Sequence, residues 1–206
     1  MSEQAPILPF YHPTSVVLVD DDTTFLESME FALCDEFNCT TFEKPKKAAA
    51  FLKEQVSDIA AKEASLLFPT SNHSDVAYLN PGDRTVGVKA SFVPNLLADK
   101  DRFSRPSVLI VDYSMPGMTG VELLQEIKDL PICKILLTGK ADKKVGIEAF
   151  NKGLIDCFLT KHHADLVDEL PDKVKELQLT FFERLTKTLR SIVSMELTDF
   201  IKDEAF

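Results

Sequence analysis

The stretch "VLIVDYSMPGMTGVELL", residues 108–124, runs from an apolar segment through an acid and a turn into a helical pattern. Val108–Val111 is apolar at every position and too short for a helix, which suits a strand covered on both faces. Asp112 stands where that strand stops. Pro116, Gly117 and Gly120 supply turn chemistry, and Leu123, Leu124, Ile127 and Leu130 then recur at helical spacing before Pro131 closes the pattern. One strand, one acid and one helix in this order make the repeating unit of an α/β sheet.

The unit recurs along the chain. "SVVLV" (15–19), "SVLIV" (107–111), "KILLT" (134–138) and "CFLT" (157–160) read as buried parallel strands, and "CTTF" (39–42) as a weaker one. Phe25, Leu26, Met29, Ala32 and Leu33 form the apolar face of a first helix, capped by Asp22 or Thr23. Val145, Ile147, Ala149 and Phe150 mark another, ending near Gly153. Strand alternating with helix predicts an α/β fold: a doubly wound, five-stranded parallel sheet.

Two segments break the rhythm. Residues of about 56–106 separate the second and third strands and read as an insertion within one domain. Its first part, "IAAKEASLL", extends a helix begun at Pro45; "PTSNHSDVAYLNPGD" reads as a loop; "RTVGVKASF" alternates like a hairpin or edge strand; "NLLADKDRF" makes one or two amphipathic turns. Towards the C-terminus, Leu170, Val174, Leu177, Phe181, Leu185, Leu189 and Ile192 form one stripe of a long helix, with Pro171 expected in its first turn. That stripe either folds back on its own chain or, as preferred here, pairs with a second copy to make a homodimer.

Composition narrows the function. A formal net charge of -10 and no Lys/Arg-rich run argue against nucleic acid backbones as partners, so no direct DNA binding is expected. The 45% hydrophobic content supports a proper core. Cys34, Cys39, Cys133 and Cys157 are scattered, as reduced thiols in a cytoplasmic protein are. No signal peptide and no membrane-spanning run is evident, so a soluble, cytoplasmic protein is expected.

In such a sheet, ligands gather beyond the carboxyl ends of the strands. Those ends carry Asp20, Asp21 and Asp22, then Asp112, Thr138 and Lys161. Neighbouring carboxylates repel and are costly to desolvate. Mg²⁺, a hard oxygen-loving cation that takes few protein ligands, would neutralise them and still leave room for a phosphoryl group. Lys161 and the Thr138 hydroxyl would bind phosphoryl oxygens, and Asp112 would be the nucleophile.

"VLVDDDTTF", "VLIVDYSMPGMTGVELL", "KILLTGKAD" and "IDCFLTK", in this order, resemble the receiver domain of two-component response regulators, of the CheY-like kind. The resemblance runs from about Ser15 to Phe182 apart from the insertion. It implies a flavodoxin-like sheet of order 2-1-3-4-5. It also implies Asp112 as the phosphorylated residue, and Asp20 and Asp21 at the metal with the backbone carbonyl of Ser114. Thr138 becomes the switch hydroxyl, Lys161 the family lysine, and Phe158 the aromatic that turns inward with Thr138. The implied partners are a histidine kinase or phosphotransfer protein and a downstream protein target, with Mg²⁺ as cofactor. The expected division is an N-terminal extension (1–14), a receiver (15–182) and a C-terminal helical extension (183–206).

His162 departs from this pattern, since the family usually places a cis proline after the lysine. A cis bond without proline is costly, so a differently shaped loop is expected. His163 reads as a solvated residue. Two competitors are weighed. "DDDTT" also fits a haloacid-dehalogenase-like phosphatase with Asp20 as nucleophile and Asp22 as acid/base. A pseudo-receiver would keep the fold without phosphorylation. The phosphatase leaves Asp112 and its turn without a role, so the expectation is a stand-alone regulator, not an enzyme, signalling through protein contacts.

Overall fold

The computed structural model describes the backbone of residues 12–67, 76–79, 86–89, 103–139, 142–161, 163 and 165–202, with side chains outside 57–89 and 185–202. Two compact units divide the chain: His12–Asp58 with Asp101–Phe181, and Met1–Tyr11 with Ile59–Lys100 and Phe182–Phe206. The first holds a five-stranded sheet built from β1 (Ser15–Val19), β2 (Asn38–Phe42), β5 (Pro106–Asp112), β6 (Cys133–Thr138) and β7 (Cys157–Thr160). The spatial order is β2-β1-β5-β6-β7 with every pair parallel, which is 2-1-3-4-5 once the strands of this sheet are counted alone.

The three central strands are buried at every residue, as their unbroken apolar runs require. Helix α1 (Thr23–Leu33) buries Leu26, Met29 and Leu33. Asp22 is its cap, accepting the N–H groups of Thr24 and Phe25 at 3.0 and 3.2 Å. Helix α2 (Pro45–Leu67) starts and extends as its pattern predicts, burying Ala48, Ala49, Leu52 and Val56. Helix α3 (Gly120–Glu126) opens on a capping box between Thr119 and Glu122. It stops before Leu130, which sits in the following turn and donates its N–H to the carbonyl of Ile127.

Three other expectations are corrected. Helix α4 (Lys143–Asn151) buries Gly146 and Ala149, while Ile147 and Phe150 stand half exposed. Only one side of a helix meets the sheet, and those two side chains fall outside it. Helix α5 (Leu166–Lys202) starts well before Pro171, which is its sixth residue and not in its first turn. The carbonyl that proline cannot serve is that of Val167, a residue 47% exposed. Part of the segment read as a loop is strand β3 (Val76–Leu79), which pairs antiparallel with β4 (Val86–Lys89) in the second unit. Turn residues around both strands hid a four-residue run too short to show a period. "NLLADKDRF" lies outside the described residues except for Phe103.

Leu166, Leu170, Val174, Leu177 and Phe181 are all buried within the first unit, so this part of the stripe covers its own domain. Leu185, Leu189 and Ile192 lie beyond the described side chains. Polar contacts fix the helix too: buried Gln178 donates to Thr14 Oγ1 at 2.8 Å, and Thr14 meets Ser107 Oγ at 2.5 Å. This cluster lies at the amino ends of β1 and β5, away from the acids. The four cysteines are free thiols.

Candidate functional site

The carboxyl ends of β1, β5, β6 and β7 form one rim. Parallel pairing sets Asp112 beside Leu137 and Thr138 beside Thr160. The Lys161 N–H continues the β6–β7 pairing by donating to the Thr138 carbonyl at 2.9 Å. Residues more than a hundred positions apart thereby share a single surface.

The turn after β5 is shaped by close approach. The Gly120 N–H donates to the Tyr113 carbonyl at 2.9 Å. A Cβ on Gly120 would fall 2.2 Å from the Asp112 carbonyl oxygen, so a side chain here would drive α3 off the strand end. The "MPGMTG" turn therefore folds tightly enough to leave the Asp112 side chain facing the rim.

Asp20 is 1% exposed and Asp112 4%, whereas Asp21 lies open to solvent. Asp20 Oδ1 accepts the Asp22 N–H at 2.9 Å, and Asp112 Oδ2 accepts the Ser114 N–H at 3.0 Å. Lys161 Nζ lies 2.6 Å from Asp20 Oδ2 and 3.6 Å from Asp112 Oδ1. Burial pushes the Asp112 carboxyl above its ordinary range. The Asp20 charge adds to that rise, Lys161 and the Ser114 N–H oppose it, and Asp21 raises it further.

One carboxylate oxygen each from Asp20, Asp21 and Asp112 lies within 4.8 Å of the others. The contact of Asp20 Oδ2 with Lys161 is an ion pair, not an aligned hydrogen bond, and this buried oxygen has no hydrogen-bond partner. Among the described residues, three carboxylates against one ammonium leave two negative charges uncompensated. Clustered oxygen donors and a charge deficit of that size fit a small divalent cation such as Mg²⁺. Of Ser114, the structure fixes the N–H on Asp112.

Thr138, fully buried, donates to the Leu159 carbonyl at 3.4 Å, a long and therefore weak bond. Phe158 is half-buried against the core and lies close to Gly146 of α4. Asp22, the acid/base of the phosphatase alternative, is tied into the α1 cap. His163 is exposed, with Nδ1 3.6 Å from Asp165. His162 lies outside the described residues, as does Lys140, which flanks the site in sequence.

One residue at the site escaped the sequence reading. Phe25, assigned there to the core face of α1, is half-buried, and Lys161 Nζ stands 4.5 Å from its ring centroid. The available signal was position: Phe25 lies in the first helical turn after the acids, at the same end of the sheet as the lysine.

A doubly wound sheet with clustered acids, a hydroxyl and a lysine at its carboxyl rim is the arrangement expected of a receiver domain. Residues 91–175 match the response regulator receiver domain. The match is to a receiver domain over β5 to the start of α5, and β1, β2 and their acids lie in sequence ahead of the matched segment. Transcriptional regulatory protein FixJ of Rhizobium meliloti (strain 1021) is 42% identical over 65 residues, 31% of each chain. The Legionella pneumophila response regulator LqsR superposes with a TM-score of 0.63 at 30% identity, over 89% of this chain and 50% of that one. A CheY-like receiver domain protein from Methanospirillum hungatei JF-1 shares the fold at 17% identity and a TM-score of 0.54, over 84% of this chain and 99% of that one. The chain spans half of LqsR and about a third of FixJ. No helix among the described residues is long and apolar enough to cross a membrane.

Proposed function

We propose that the protein is a response regulator that accepts a phosphoryl group on Asp112 from a histidine kinase or phosphotransfer protein. The observation that carries this reading is the Lys161 ammonium, which reaches both Asp20 and Asp112 from the far end of the sheet. In the transfer, an Asp112 carboxylate oxygen bonds to phosphorus as the P–N bond of a phosphohistidine breaks. The departing nitrogen keeps the electron pair of that bond and is protonated, so the donor histidine ends as a neutral imidazole.

Asp20, Asp21 and Asp112, with the Ser114 carbonyl, are the proposed holders of Mg²⁺. Bound there, the cation offsets charge on the acids and the phosphoryl oxygens. Lys161 is placed to neutralise a further phosphoryl oxygen, and the Ser114 N–H keeps the Asp112 carboxylate oriented. The Thr138 hydroxyl, weakly held by Leu159, is free to turn towards the new anion, and Phe158 follows it. A two-state domain biased in this way reports through contacts with a downstream protein. Residues 15–182 are the proposed receiver, with an insertion at about 56–106, flanked by an N-terminal extension (1–14) and a C-terminal helical extension (183–206), in a cytoplasmic protein.

The reading is tested with beryllofluoride, which mimics a phosphoryl group on a carboxylate. Fluorine NMR is expected to show a bound signal that needs Mg²⁺ and disappears in Asp112→Asn. Absence of the signal from the unaltered protein would favour a pseudo-receiver. Its persistence in Asp112→Asn would point to another acid and revive the phosphatase.

A further inference from the structure

Lys161 is a long side chain with four rotatable bonds, and its ammonium must sit at one point of the rim. A proline after it would restrict the backbone there, but the next residue is His162. Placement therefore rests on what the ammonium touches. Two distances, 2.6 Å to Asp20 and 3.6 Å to Asp112, still leave the nitrogen a circle of positions.

The third contact closes that freedom. The Phe25 ring centroid is 4.5 Å from Lys161 Nζ, well inside the ~6 Å range over which an aromatic face attracts a cation. The lysine side chain is only 13% exposed, so water screens the attraction little. The backbone that carries the ring is anchored, because the Phe25 N–H is held by the Asp22 cap. Phe25 also lies in the first turn of α1, where the helix dipole disfavours a nearby cation. A negative ring face at that place offsets the dipole for an ammonium that the acids have drawn in.

We propose that Phe25 is a positioning residue whose ring face seats the Lys161 ammonium at the Asp20–Asp112 pair. Its functional consequence rests on the phosphoacceptor reading of Asp112; the seat itself does not. The seat accounts for how this chain holds its lysine without a proline behind it.

The test uses the full-length protein and the variants Phe25→Leu and Phe25→Tyr, each checked for folding by its melting transition. In NMR spectra, the Lys161 Cε protons of the unaltered protein are expected upfield of ordinary lysines through the ring current. The displacement should vanish in Phe25→Leu and remain in Phe25→Tyr. Phosphoryl uptake from acetyl phosphate should slow by roughly two- to fivefold in Phe25→Leu and recover in Phe25→Tyr. A Lys161 signal unaffected by Phe25→Leu overturns the seat, and if Phe25→Leu does not fold, an unshifted signal in the unaltered protein or in Phe25→Tyr does so. A lost displacement with unchanged uptake overturns the positioning role. If the unaltered protein takes up no phosphate, the phosphoacceptor reading fails, while the lysine signal still decides the seat.

Discussion

Gly146 of α4 lies directly against Phe158 of β7: a Cβ built on it would stand 2.8 Å from both Cγ and Cδ2 of the ring. Glycine inside a helix is ordinarily a weakness, and replacing it with alanine ordinarily gains about 1 kcal/mol. Here the sign should reverse. The clashing atoms include the root of the ring, so relief requires α4 or β7 to shift and not merely a side-chain tip. Gly146→Ala is expected to destabilise the fold by a net ~1–2 kcal/mol, the usual scale of overpacking. Urea unfolding checks it, and a gain in stability would mean the two elements are not closely fitted.

Asp112 gives a prediction in which the acid costs stability. Its carboxyl is raised above its unfolded value by burial and by Asp20, so the folded chain binds that proton more readily than the unfolded chain. The contribution of this group is therefore most favourable below the ordinary aspartate range and is lost as pH rises through the raised value. At neutral pH, without divalent cations, Asp112→Asn should raise the melting temperature by roughly 2–4 °C, the scale of about 1 kcal/mol at this chain length. Added Mg²⁺ should erase that gain by stabilising only the unaltered protein. A melting temperature lowered by the substitution in chelator would contradict the charge balance described.

The cysteines should separate by reactivity. Burial pushes the thiols of Cys39 and Cys157 up to about 11, while Cys34 is exposed. A rise of that size leaves roughly a hundredfold less thiolate at neutral pH. Iodoacetamide on the folded protein should therefore label Cys34 first, with Cys39 and Cys157 slow and buried Cys133 silent until unfolding. Peptide mapping gives the order, and early labelling of Cys157 would mean that β7 opens readily.

Much of this architecture was legible because its causes are local. Unbroken apolar runs announced the central strands, and the acids, hydroxyl and lysine after them announced the rim. Less local causes stayed hidden. No periodicity distinguishes Phe25 facing a lysine from Phe25 facing the core, since both place an aromatic on one side of α1. Asp22 was readable equally as a cap or a metal-side acid until its oxygen was seen on the N–H groups of Thr24 and Phe25. The helix start before Pro171 stayed hidden because a proline marks where an N–H is missing, not how many helical residues precede it. Strand β3 depended on antiparallel pairing with β4, which four residues alone cannot advertise.

Trapping the acyl phosphate tests the central claim most directly. The protein is exposed to acetyl phosphate and Mg²⁺, reduced with borohydride, digested and mapped by mass spectrometry. The account predicts one reduced carboxyl, at residue 112, and none when Mg²⁺ is chelated. Reduction at Asp20 instead, or no modified carboxyl in the presence of Mg²⁺, would contradict it.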